Sequence, residues 1–158
     1  MNTLPRTVIE QAMQEALLCA RQAQSFSEVP VGAVVLDAQG NVIGRGYNRR
    51  SVDDDPLAHA EVVAMRQAVQ YKNSGNSWNL ADCTLVVTLE PCPMCAGACL
   101  QTHVGRIVFG AWDAKLGACG SVWDIPRDPH VGSFPEVYGG VLEGECAQLL
   151  RDFFSQKR

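Results

Sequence analysis

Thr84-Leu85-Val86-Val87-Thr88-Leu89-Glu90-Pro91-Cys92-Pro93-Met94-Cys95 joins an apolar, β-branched run directly to a proline-rich helix start. The run reads as a strand buried on both faces. Pro91 and Pro93 are tolerated beyond it because first-turn N–H groups have no intrahelical partner. Upstream, residues 31–36 (Val-Gly-Ala-Val-Val-Leu) have the same character, and a short loop holding Gly40 turns them back into a hairpin partner at residues 42–47. Residues 106–110 read as a further strand and residues 137–142 as the last. Helical patterning covers residues 8–24, 59–70, 92–101 and 145–154. In the first helix Ile9, Met13, Ala16, Leu17, Ala20 and Ala23 form one apolar face, with Thr7 and Glu10 spaced as a capping box. Residues 48–56 read as a polar loop. Strands alternating with helices predict an α/β fold, a mixed or parallel sheet with helices on both faces.

At roughly 100–150 residues per domain, the 158 residues fit one compact unit and exclude a two-domain enzyme. With 47% apolar and 19% charged residues, the composition is that of a buried-core globule and not of a disordered chain. The longest apolar stretches fall well short of the ~18–20 residues of a membrane span, and the start shows no secretory pattern, so a cytoplasmic protein is expected. Seven cysteines, an odd number, suit free thiols for metal or catalysis better than disulfides. A formal charge of −4 argues against a general nucleic-acid coat protein, which would be broadly basic. Any RNA contact must therefore come from a local surface, and Arg49, Arg50, Arg151, Lys157 and Arg158 are the candidates.

Cys92 and Cys95, three apart at a helix start, can turn both sulfurs to one ion, and positive partial charge at a helix N-terminus favours thiolates. His59-Ala60-Glu61 opens the preceding helix. Residues two apart on a helix do not share a face, so His59 and Glu61 meet only at a site just beyond the helix end. One imidazole and two thiolates make three donors where zinc takes four, which leaves a position for water and Glu61 as a proton shuttle beside it. Two other readings compete. Cys-x-x-Cys at a strand–helix junction is also a redox arrangement, which needs neither His59 nor a Glu 31 positions before Cys92. Alternatively Cys99, Cys83 or Cys119 supplies a fourth sulfur and closes a structural site. His103, His130, Tyr47, Trp112 and Trp123 receive no role.

The pattern H-x-E…P-C-x-x-C is the signature of zinc nucleobase deaminases, and the chain resembles the cytidine-deaminase-like superfamily. Its flanking segments resemble the bacterial tRNA-specific adenosine deaminases: Glu28-Val29-Pro30-Val31-Gly32-Ala33-Val34, Tyr47-Asn48, Ala58-His59-Ala60-Glu61, Cys95-Ala96-Gly97-Ala98, Phe109-Gly110-Ala111 and Asp113-Ala114-Lys115. The similarity spans about residues 8–154. It implies a three-layer α/β/α cytidine-deaminase-like fold with a mixed five-stranded sheet, and one zinc-dependent deaminase domain over residues 1–158. It further implies one zinc per subunit, a homodimer, and deamination of adenosine to inosine at the wobble position of a tRNA anticodon stem-loop. By motif match His59, Cys92 and Cys95 would bind zinc and Glu61 would carry protons. Asn48, Pro30, Ala60 and Asp113 would contact the substrate. Phe153-Phe154 and Lys157-Arg158 match the family's C-terminal helix near the anticodon stem. The chain departs from the pattern at Thr102-His103, where Ser-Arg is common, and at Ser133-Phe134-Pro135, where a polar Asn-His is usual. A free guanine or cytosine deaminase of the same superfamily and a non-catalytic zinc-stabilised binding module are the alternatives.

Overall fold

The computed structural model describes residues 3–73, 75, 77–132 and 134–157. In chain order the elements are α1 (Arg6–Gln24), β1 (Gly32–Leu36), β2 (Val42–Tyr47), α2 (Arg50–Asp53), α3 (Ala60–Lys72), β3 (Thr84–Leu89), α4 (Pro93–Gln101), β4 (Arg106–Ala111), β5 (Glu136–Tyr138) and α5 (Glu143–Gln156). The five strands form one mixed sheet in the order β2-β1-β3-β4-β5. β1 runs antiparallel to β2 and β3, and β3, β4 and β5 run parallel.

Side-chain alternation along the central strands feeds two cores. Ala33, Val35, Leu85, Val87, Ile107 and Phe109 pack with Ala60, Ala64 and Ala68 of α3 and Ala96 and Cys99 of α4. Val34, Leu36, Val86 and Val108 pack on the other face with Met13, Ala16 and Leu17 of α1 and Cys146 of α5. These are the three expected α/β/α layers. Burial on both faces explains why β1 is apolar throughout its length and β4 is apolar after Arg106.

The helices lie unusually close to the hairpin because it is rich in glycine. A β-carbon on Gly46 would meet the carbonyl oxygen of Ala60 at the start of α3, and one on Gly32 would meet the carbonyl of Ala16 in α1. Because β1 is antiparallel to β3, its N-terminal end lies beside the C-terminal end of β3, where the Gly32 N–H donates to Thr88 Oγ1 at 3.1 Å. The segment before β1 thus reaches the same end of the sheet as Cys92.

Three local expectations are corrected. The capping box of Thr7 and Glu10 does not form, because Pro5, with φ of −58°, caps α1 two residues earlier and Glu10 accepts from Arg6 at 2.7 Å. The loop of residues 48–56 contains the single turn α2, closed by the Arg49–Asp53 ion pair at 2.8 Å and capped by the buried Glu28 carboxylate, which accepts the N–H groups of Ser51 and Val52. The last strand stops at Tyr138, and Leu142, at φ 50°, is in the left-handed conformation and starts α5. Among the described residues no helix is long and apolar enough to cross a membrane. All seven cysteines are free thiols.

Candidate metal centre and substrate pocket

His59 is the N-cap of α3 and Cys92 the N-cap of α4, both in extended backbone, so two helix starts converge at the C-terminal end of β3. Their ligand atoms meet: His59 Nδ1 lies 3.7 Å from Cys92 Sγ and 3.5 Å from Cys95 Sγ. All three donor atoms fall within 4.8 Å of one another. Zinc–nitrogen and zinc–sulfur bonds of about 2.0 and 2.3 Å at a tetrahedral angle set an N···S edge of about 3.6 Å, so the spacing fits zinc. The donor chemistry fits as well, two thiols and an imidazole suiting zinc among the divalent ions.

Electrostatics mark the same residues. The Cys95 hydrogen bond, helped by one from His59, brings the Cys92 thiol down to about 4, and the shared proton pushes Cys95 up. The bond to Cys92 raises His59. Glu61, in the first turn of α3 and only 4% exposed, is pushed up to about 7 by burial. A carboxyl poised near neutrality beside a metal site can both take and give a proton.

These residues open on a cavity of about 240 Å³. His59, Glu61 and Cys92 form part of its lining, with Asn48, Ala60 and Asp113. Asn48 is anchored through its amide to the Val29 carbonyl at 3.4 Å and accepts from the Arg50 N–H at 3.3 Å. The Asp113 carboxylate caps its own turn, accepting the N–H groups of Lys115 and Leu116. Pro30 is buried and is not part of this lining, which instead takes its neighbours Val29 and Val31.

The candidate RNA contacts divide. Arg50 lines the pocket. Arg49 is engaged with Asp53 and lies over the Tyr47 ring. Arg151 projects from α5 with Gln148 as its partner. Lys157 lies 4.7 Å over the buried Phe153 ring. Arg158 and Ser133 lie outside the described residues. The rival roles for other cysteines find no geometric support: Cys99 and Cys119 are buried in the apolar core, and Cys83 is hydrogen-bonded to Asp82. His103 and His130 are exposed, the latter held to Asp128.

Sequence reasoning assigned nothing to Glu90, although it lines the cavity and is 2% exposed. The available signal was an acidic residue closing an apolar strand immediately before Pro91-Cys92. Leu116, also lining the cavity, gave no signal.

The profile of the cytidine and deoxycytidylate deaminase zinc-binding region matches residues 6–111. A tRNA(Ile)-lysidine synthase of Deinococcus radiodurans is 51% identical over 155 residues, covering 98% of this chain and 26% of that protein. The chain thus spans about a quarter of that curated relative. A tRNA-specific adenosine deaminase of Haemophilus influenzae is 46% identical over 149 residues, covering 94% of this chain and 84% of that protein. A solved structure from studies of A-to-I editing by tRNA:A34 deaminases at the wobble position of transfer RNA superposes with a TM-score of 0.83. It is 38% identical and covers 89% of this chain and 99% of that one.

Proposed function

Since the chain belongs to the family of the cytidine and deoxycytidylate deaminase zinc-binding region, we propose that it is a zinc-dependent hydrolase converting adenosine to inosine at the wobble position of a tRNA anticodon. One observation carries the reading: three metal donors lie within 4.8 Å of one another, and two of them, His59 and Cys92, line the same pocket as the buried Glu61 carboxyl. The similarity to tRNA-specific adenosine deaminases over most of both chains supports the choice of substrate.

In this proposal His59, Cys92 and Cys95 hold the ion. Zinc, when bound, supplies Lewis acidity that lowers the pKa of a water in its open position. Glu61 takes a proton from the attacking water and delivers it to ring N1 of adenine. It then carries a second proton to the departing amine, so that adenosine and water give inosine and ammonia. Asn48 and Asp113 orient the base, and Ala60 packs beside it. A base inside a duplex is shielded by stacking, and an anticodon loop presents one that costs less to extrude. Arg50, at the pocket, supplies one phosphate contact, and Arg151, Lys157 and Arg158 of the C-terminal segment supply others. Residues 1–158 act as one deaminase domain in a homodimer. The free thiols suit a cytoplasmic setting.

The test offers an anticodon stem-loop with a wobble adenosine in parallel with free adenine, guanine and cytosine, and measures inosine and ammonia. Inosine in the stem-loop is the expected result. Deamination of a free base alone would replace the substrate assignment, and no ammonia from any of them would leave a binding module.

A further inference from the structure

Two buried carboxylates line the pocket, and they are bonded differently. Glu90 follows β3 directly. Its Oε1 accepts the N–H groups of Cys119 at 3.1 Å and Ser121 at 3.0 Å, and its Oε2 accepts the N–H of Asp113 at 2.9 Å and the hydroxyl of Ser121. Four neutral donors use up the roughly four lone-pair sites of a carboxylate. The loop folds tightly around it: a β-carbon on Gly117 would run into the Glu90 carboxylate, and the Ala118 N–H donates to the Pro91 carbonyl at 2.9 Å. The segment from Asp113 to Ser121 is therefore wrapped around one side chain, and this segment brings Asp113 and Leu116 to the pocket.

We infer that Glu90 is the positioning residue that shapes the substrate wall, fixing Asp113 and Leu116 at the pocket and thereby setting substrate affinity without transferring protons. This deepens the proposed deamination and rests on it. Glu90 is unsuited to proton transfer because its acceptor sites are already occupied. An amide could not replace it, since one of its two ends is an NH2 group that would face N–H or O–H donors.

The experiment compares zinc-loaded wild type with Glu90→Gln and with Gly117→Ala, which keeps the carboxylate but crowds it. Zinc content, kcat and KM on the anticodon stem-loop, and hydrogen exchange at the amides of Asp113, Cys119 and Ser121 are measured. Losing hydrogen bonds to a charged acceptor should speed exchange at these amides and raise KM by about tenfold or more, with kcat within about threefold and zinc content unchanged. Amides that stay protected in both variants would overturn the inference. So would a fall in kcat at constant KM, which marks a proton carrier, or a loss of zinc, which would place Glu90 in the metal framework. If Glu90→Gln does not fold, Gly117→Ala decides alone. Should the wild type leave the stem-loop unchanged, the deamination reading fails, while hydrogen exchange still decides whether Glu90 holds the loop.

Discussion

Gly46 of β2 faces the carbonyl oxygen of Ala60 so closely that any β-carbon at 46 would collide with it. Ala60 stands between His59 and Glu61, so this contact sets how near the sheet these two side chains can sit.

Gly46→Ala should accordingly destabilise the protein by about 1–3 kcal/mol, as overpacking does, and disturb the site with it. Gly97, inside α4, is the contrasting case, because a β-carbon there meets nothing within 4 Å. Gly97→Ala should stabilise by roughly 0.5–1 kcal/mol through helix propensity. Chemical denaturation of both variants checks the pair, and equal effects would contradict the geometry.

Glu61→Gln should cost ~10²- to 10⁴-fold in turnover, the usual worth of a general acid–base group, while retaining zinc. Single-turnover kinetics with metal analysis tests this. Wild-type rates in that variant would remove Glu61 from the chemistry.

Cys92→Ala should lose both metal and activity. An ion bound only by the folded state stabilises it, so a chelator should lower the melting temperature of the wild type and leave that of the variant unchanged. A fully metallated, active Cys92→Ala protein would refute the ligand assignment.

Arg106 is buried and donates from Nε to Glu136 at 2.8 Å, and its Nη2 has no partner among the described residues. Glu136→Ala should leave this guanidinium with less compensation and cost about 1–3 kcal/mol at pH 7, discounted toward the lower end because Glu136 is 48% exposed. The hydrogen bond from Arg106 holds the Glu136 carboxyl below its usual range. A depressed folded-state pKa stabilises above the unfolded value, about 4.3, and that contribution fades as acid protonates the folded carboxylate. The stability gap between wild type and Glu136→Ala should therefore narrow as the pH falls below about 4. A gap constant from pH 7 to pH 3 would argue against the ion pair.

Stem-loop affinity should fall as salt rises, because phosphate contacts release counterions, and Arg50→Ala or Arg151→Ala should each reduce the magnitude of the log–log slope by about one. Titration at several ionic strengths measures it. A flat dependence in the wild type would point to a small free substrate.

Much of the architecture could be read before any coordinates. Residues 31–36 are continuously apolar, and residues 84–89 are so but for Thr84 and Thr88, because both sheet faces are covered, and Cys92, Cys95 and His59 declare themselves by chemistry and spacing. Illegible features depend on partners distant in the chain. Glu28 caps α2 from 23 and 24 residues away. Glu90 acquires its role only once residues 113–121 fold back over it. Pro5 outcompetes Thr7 as a cap, and the last strand ends at Tyr138, ahead of the positive φ of Gly140 and Leu142, earlier than its apolar pattern suggests.

The ion-binding donors are fixed at helix starts seated on the sheet, whereas Asp113 and Leu116 of the pocket lining hang from Glu90, with Leu116 left 55% exposed. Changes at the exposed residues of this one short stretch therefore reshape the pocket entrance without altering the helix starts that carry His59, Glu61 and Cys92.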